Sequence, residues 1–465
     1  MISILVENPV WSRVTKGAKL LKPLLSFRSQ YYRQGQYSKT RHAYDKSLIM
    51  KGGLIYTGWL PRIKEYCKDQ KINLTVELSQ EHCLINDHVP SPKAIASLPG
   101  IKYQAQQVEL IQAALDHRRG FIVSPMGTGK TIIAAAIIKA FAKYNVLFLC
   151  HNLSILTKTA KDFKELGFKN ITMLGDGDKH IPSKKLVIST MQTFRTLNLE
   201  ELGMDFQVVI TDESHVGMCD QATYQKILSH VIAPIRIGLT ATPPENQERK
   251  LVSEGLLGPI IGRVTFEDAK ELDIMVQPKI ELLSIPIDPE LKQIRHYKEI
   301  YLKGIVENKV RNRAIIAKAK ELTNGRGLSI LIFSSEKNLR HGEVLLEMAL
   351  AAGIDAVYIQ GNTPSIEREF YIKEMEASRL KCAIVTRVWR EGVNIKHVGG
   401  IILAKGGKGE EGTGSDEALI QTIGRALRKH GDKKEAIIVD ILDPYRYLAE
   451  HCIERLSIYV RLGWM

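Results

Sequence analysis

The chain has 465 residues, 44% of them hydrophobic and 25% charged, a composition ordinary for a soluble globular protein and long enough for two or three separate cores. Sixty-five Lys and Arg against 51 Asp and Glu leave a formal charge of +14, which favours a polyanionic partner through counterion release. The six cysteines (Cys67, Cys83, Cys150, Cys219, Cys382, Cys452) include no C-x-x-C pair and no close His/Cys set with zinc spacing, which argues against a zinc module or disulfide framework and suits a reducing compartment.

The first residues, MISILVENPVWSR, show no charged region followed by a long apolar run, so no secretory signal is expected. The densest apolar run, IIAAAII at 132–138, ends at Lys139 and is too short to span a bilayer. A cytoplasmic protein without a membrane partner is the expectation.

Residues 13–64 stand apart. They hold twelve Lys or Arg against one acid, Asp45, with seven aromatics interleaved (Phe27, Tyr31, Tyr32, Tyr37, Tyr44, Tyr56, Trp59). Cations serve phosphates and aromatic faces stack on bases; equally, the aromatics can form the core of a small module whose cations are its solvated face. The charge asymmetry points to nucleic acid, with Arg33, Lys39 and Arg41 as candidate contacts. A linker comes next, LINDHVPSPKAIASLPG at 84–100, marked by three prolines.

Beyond it, short apolar runs alternate with helix-like sequence: FIVSP (121–125), NVLFLC (145–150), KLVIST (185–190), FQVVITDE (206–213) and RIGLTAT (236–242). Runs of this length, rich in β-branched residues, predict buried parallel strands in a doubly wound α/β sheet. A second series comprises LSILIFSS (328–335), DAVYIQG (355–361), CAIVTR (382–387), GGIILA (399–404) and AIIVDIL (436–442), with a glycine-rich loop at 406–415. The expected fold is therefore α/β. Two tandem doubly wound domains, at 89–272 and 273–465, come after a small basic α+β domain at 1–88.

SPMGTGKT at 124–131 lies between the strand FIVSP and the helix-like TIIAAAIIKAFAKY. Strand, loop and helix in that order are the setting a phosphate-binding loop needs. Gly127, Thr128 and Gly129 let backbone N–H groups turn inward as an anion nest, and the helix N-terminus adds a favourable dipole. Lys130 is placed to reach the β- and γ-phosphates, and Thr131 to hold Mg²⁺. The strict motif wants glycine where Ser124 stands. Downstream, VVITDESH (208–215) ends an apolar strand in Asp212 and Glu213. Asp212 is expected to hold Mg²⁺, partly through water, and Glu213 to polarise the attacking water.

Together these motifs resemble the superfamily 2 helicases of the DExD/H-box kind, and the resemblance covers about residues 100–445. In that family the loop commonly lacks its first glycine, so Ser124 fits. The resemblance implies RecA-like domains, ATP and Mg²⁺ as cofactors, and further site residues. Within IKYQAQQVELIQAAL, Gln107 would read adenine and Tyr103 would stack on it. LTAT (239–242) is similar to the segment linking the nucleotide to nucleic acid. Within VISTMQTF, Ser189 and Thr190 would touch a nucleic-acid backbone. TRVWREGVNIK (386–396) would turn Thr386 to a phosphate and Gly392 and Asn394 to the nucleotide. QTIGRALR (421–428) would set Gln421, Arg425 and Arg428 on one helical face, with Arg428 the first choice for the γ-phosphate and Arg425 the second. The layout, a basic module before two motor domains, is similar to phage branch-migration helicases of the UvsW type. It implies an ATP-driven DNA helicase, working as a monomer, that remodels forks and junctions in replication, recombination or repair. A duplex translocase that separates no strands and an RNA helicase are the alternatives.

Overall fold

The computed structural model describes residues 1–34, 39–212, 221–243, 246–335, 339–386, 397–406, 415–431 and 433–465; of residues 30–43, 221, 365, 415–418, 421 and 425 no side chain is described. The chain divides into two compact units. One comprises residues 1–124 and 129–264, the other residues 125–128 and 265–465.

The first unit opens with a four-stranded sheet, in the order β5 (Leu54–Tyr56), β2 (Trp11–Lys16), β1 (Ile2–Val6), β6 (Leu74–Leu78). Alternation along ISILV turns Ile2, Ile4 and Val6 inward. The basic stretch forms an antiparallel hairpin of β3 (Ser26–Gln34) and β4 (Lys39–Ser47), in which Arg33 is in register with Thr40 and Arg41 with Tyr32. Phe27, Tyr56 and Trp59 are core residues, whereas Tyr44 is exposed.

This module is tied to the seven-stranded sheet that comes after it. Trp59, fully buried, donates its indole N–H to the Leu251 carbonyl at 2.7 Å, and Trp11 donates to Ser229 O at 3.2 Å. Gln225 donates to the Tyr56 hydroxyl at 2.7 Å, and Arg62 grips Glu254 with two bonds of 2.7 and 2.6 Å. Gly58 and Gly255 make the approach possible: a Cβ on Gly58 would strike the carbonyls of Glu254 and Gly255, and one on Gly255 the rings of Trp59 and Tyr56.

The motor sheet has seven parallel strands. Their order is β13 (Ile260–Arg263), β7 (Arg119–Val123), β12 (Ile235–Thr240), β11 (Val208–Thr211), β8 (Val146–Cys150), β10 (Leu186–Thr190), β9 (Ile171–Leu174). Strands β8, β10, β11 and β12 are buried along their whole length, as a sheet covered on both faces requires. At the opposite edge from the phosphate loop, two arginines are satisfied by carbonyls rather than acids. Arg236, wholly buried, donates to Leu256, Val231 and Leu228, and the partly buried Arg119 donates to Leu257, Leu256 and Pro9. Apart from Pro9, these carbonyls lie at the ends of the helices Gln221–His230 and Gln247–Leu257, so a cation suits their dipoles.

The second unit is built on six parallel strands. Their order is β14 (Gln277–Ser284), β19 (Glu435–Leu442), β18 (Val398–Ile402), β15 (Ser329–Phe333), β17 (Cys382–Val385), β16 (Ala356–Ile359). Among the described residues, polar clusters are buried in it. Arg311 holds Asp443 at 2.7 and 3.1 Å and the Ala404 carbonyl at 2.7 Å. Arg455 and Tyr459 hold Asp440. His341 lies between Ser335 and Asn312. The two parallel sheets preceded by a small α+β region are the fold class expected from the sequence.

Candidate nucleotide-binding site

All strands of the first motor sheet run parallel, so the loops after β7, β8, β11 and β12 emerge at one edge. Ser124, buried at the end of β7, donates its N–H to the Thr240 carbonyl at 2.9 Å, which ties the start of the phosphate loop to β12. Gly127 and Gly129 adopt left-handed φ of 92° and 87°, a conformation glycine enters without a Cβ penalty. Gly129 caps the helix Lys130–Ala140, whose apolar residues Ile133–Ile138 are all buried. Its first turn therefore sits at the sheet edge with its N–H groups leading, the arrangement that receives a phosphate. Lys130 folds over this loop and donates to the Ser124 carbonyl at 3.1 Å.

Gln107 is buried beside the same loop. A Cβ on Gly129 would strike its amide nitrogen, while its carbonyl oxygen accepts the Gln104 N–H at 3.1 Å in a capping box. The sequence-predicted adenine reader and phosphate loop are thus brought into direct contact. Tyr103, half-buried, donates its phenol to Ala96 O in the linker at 2.5 Å, and burial raises its pKa.

Asp212 comes directly after β11, its N–H held by Leu149 O at 2.8 Å. Its carboxylate charge adds to burial in raising the pKa of Cys150 at the end of β8. Thr240 donates its hydroxyl to Thr242 O at 2.7 Å and accepts the Thr242 N–H at 3.2 Å, which sets the LTAT turn. The residues fit a magnesium nucleotide: two glycines with the φ of an anion nest, a lysine, a helix N-terminus, and the hard oxygens of Thr131 and Asp212. Glu213, Gly392 and Asn394 lie outside the described residues.

In the second unit, Thr386 is buried at the end of β17 with its N–H on Ile359 O. Gln421 and Arg425 lie on the helix Ser415–Ala426. Arg428 departs from the expected helical face. The helix stops at Ala426, and Arg428 pairs instead with Met275 in an antiparallel bridge. Val276 N donates to Leu427 O at 2.7 Å and Lys429 N to Ile274 O at 3.0 Å, so β-type pairing takes the groups another helical turn would have used.

Ser189 and Thr190 serve a turn. Ser189, fully buried, donates to Leu174 O and Thr190 O, and Thr190 caps the short helix just beyond β10. Arg33 lies on β3, and Lys39 and Arg41 on β4, at the far end of the hairpin from its buried Phe27.

A family model described as "Type III restriction enzyme, res subunit" matches residues 98–245, and one described as "Helicase conserved C-terminal domain" matches residues 313–430. The chain belongs to the superfamily 2 helicases. Such a helicase is an ATP-hydrolysing enzyme, and its nucleotide is usually held with Mg²⁺. The chain is similar to the ATP-dependent DNA helicase uvsW of Enterobacteria phage T4, 23% identical over 92% of this chain and 89% of the relative. The DNA 3'-5' translocase XPB2 of Sulfurisphaera tokodaii is 25% identical over 81% of this chain and 89% of its own length. The crystal structure of T4 UvsW aligns over 99% of this chain and 97% of that one, at 20% identity and a TM-score of 0.45. Sequence reasoning missed Trp59, Arg62 and Glu254 as the joint between the N-terminal module and the seven-stranded sheet. Their partners lie some 190 positions away in the chain, and no local pattern announces them.

Proposed function

We propose that this helicase is a DNA motor that remodels branched DNA, forks and junctions in replication, recombination or repair, acting as a monomer in the cytoplasm. The observation that carries this reading is the weld between the basic hairpin module and the first motor sheet. A module fixed through Trp59, Tyr56 and the Arg62–Glu254 pair turns with that sheet as one body. A cationic hairpin so held can keep one DNA arm while the motor draws another. The relatives named a DNA helicase and a DNA translocase support DNA as the polymer. Among the described residues, no helix is long and apolar enough to cross a membrane.

In this reading Lys130 and the N–H groups at Gly127–Gly129 hold the β- and γ-phosphates, and Thr131 and Asp212 hold Mg²⁺, which neutralises phosphate charge. Glu213 takes the proton of the attacking water. Arg425, Arg428 and Gln421 are the groups assigned to charge developing on the γ-phosphate. Gln107 reads the base and Tyr103 stacks on it, and Gly392 and Asn394 are assigned to the nucleotide. Thr386, Arg33, Lys39 and Arg41 hold nucleic-acid phosphates.

The test is ATP hydrolysis with no polynucleotide, single-stranded DNA, duplex, four-way junction and RNA at one fixed salt concentration, since phosphate-driven affinity changes steeply with salt. Strongest stimulation by the junction, with resolved arms on a gel, is the expected result. Strongest stimulation by plain duplex without strand separation moves the protein to the duplex translocases, and stimulation by RNA alone overturns the choice of polymer. Glu213→Gln abolishes stimulated hydrolysis; full activity in that variant removes Glu213 from its role.

A further inference from the structure

After the short excursion at 125–128, the chain passes from the first unit to the second at Val264 and Thr265, the linker between the units. Thr265 caps the helix Phe266–Glu271 in a reciprocal capping box with Asp268. At the end of that helix Asp273 takes a left-handed φ of 54° and turns the chain back, so that the N–H groups of Ile274 and Met275 both reach Ala269 O. From there the chain pairs antiparallel with the tail of the arginine-bearing helix. Val276 N meets Leu427 O, Met275 bridges Arg428, and Lys429 N meets Ile274 O. The Lys429 ammonium closes the end of this ribbon on Asp273 at 2.9 Å.

The other side of the tail is braced as well. Lys433 donates to the carbonyl of Ala426, the last residue of the helix, and to Val398 O at 2.5 Å. Met275, Val276, Ala426 and Leu427 are all buried. Arg428 therefore has its backbone in a ribbon whose other strand is the landing of the linker. A helical position would have tied it to residues four back in its own helix. A bridge ties it to residues about 150 positions upstream, next to the junction of the units.

We propose that Asp273 and Lys429 are positioning residues that make the linker landing and Arg428 one mechanical piece, so that displacement of the linker is passed to the arginine without going through the sheet. This rests on the reading of Arg428 as a γ-phosphate group. Distortion of the ribbon then lowers turnover while leaving the binding of nucleotide and DNA intact. The pair itself is open to solvent, with the Asp273 side chain 74% exposed, and an exposed ion pair adds little to stability. Function and folding are thereby separable.

The test uses the full chain and four proteins: Asp273→Lys, Lys429→Glu, the two combined, and Arg428→Lys. Like charges at the ribbon end in either single variant are expected to lower DNA-stimulated kcat about fivefold, the scale on which residues away from a ligand modulate coupling. The KM for ATP and the affinity for DNA stay put in both, and the melting temperature stays put in Lys429→Glu, which a merely structural role would not predict; Asp273→Lys also sets a lysine at the left-handed φ of position 273. The combined variant restores the ion pair and returns kcat towards the starting protein. Normal kcat in Asp273→Lys beside a crippled Arg428→Lys overturns the coupling and leaves the arginine's role standing. Impaired single variants that the swap fails to rescue overturn it too. Full activity in Arg428→Lys overturns the role of the arginine and the coupling with it.

Discussion

His341 should make the second unit lose stability in mild acid. Its ring is fully buried, with Nδ1 accepting the Ser335 N–H at 3.3 Å and Nε2 at 3.2 Å from the Asn312 side-chain oxygen. The first bond fixes Nδ1 as an acceptor and the second makes Nε2 the protonated nitrogen, so the neutral tautomer satisfies both neighbours. Adding a proton at Nδ1 would set it against the Ser335 N–H and leave the Ser335 hydroxyl, at 3.1 Å, to accept it. Burial, helped by the nearby Arg311 guanidinium, pushes the pKa down to about 3. The unfolded chain binds this proton near pH ~6.5 and the folded chain does not, so the folded state is fully favoured above ~6.5 and loses ground as pH falls. At ~1.36 kcal/mol per unit, the loss is about 2 kcal/mol at pH 5. His341→Gln keeps a donor and an acceptor but cannot titrate. Hydrogen exchange of the β15 amides reports this core apart from the rest of the chain. Between pH 7 and pH 5, protection in the starting protein should fall relative to His341→Gln by the factor that about 2 kcal/mol implies, roughly thirtyfold. Parallel pH dependence in the two proteins would refute the argument.

Three further substitutions probe the weld, the phosphate loop and the buried ion pair. Trp59→Ala opens a cavity and strands the Leu251 carbonyl, so denaturant titration should show a loss of about 3–5 kcal/mol, and Trp59→Phe a smaller one. Gly129→Ala puts a Cβ into the Gln107 amide at a left-handed φ; that conformation costs an alanine roughly 1–2 kcal/mol, a loss that denaturant titration should show. Arg311→Met leaves the Asp443 carboxylate buried and unpaired, at a cost of about 3–5 kcal/mol. The double variant Arg311→Met, Asp443→Leu should be less unstable than Arg311→Met alone, and an additive double variant would count against the pairing.

Legibility in the sequence tracked burial and chain distance. Strands covered on both faces were visible as apolar runs: NVLFLC became Val146–Cys150, and AIIVDIL, interrupted by Asp440, became Glu435–Leu442. Strands β9, β13 and β14 were not, because each lies at a sheet edge, keeps partly exposed positions and shows no such run. The phosphate loop was legible because its chemistry is local. A turn with φ near 90° at Gly127 and Gly129, then a lysine on the first helical position, fits within a single short stretch. The end of the arginine helix was not legible. Periodicity in QTIGRALR continues past Ala426, and only Val276, from far upstream, decides that Leu427 gives its carbonyl to a strand. The same holds for Ser189, whose hydroxyl is taken up by Leu174 and Thr190 once β9 and β10 pair. Groups that bind phosphate must converge on one small ligand, which short loops at a parallel-sheet edge achieve. Groups that transmit motion must join parts of the chain that the fold brings together, and so they leave no short motif behind.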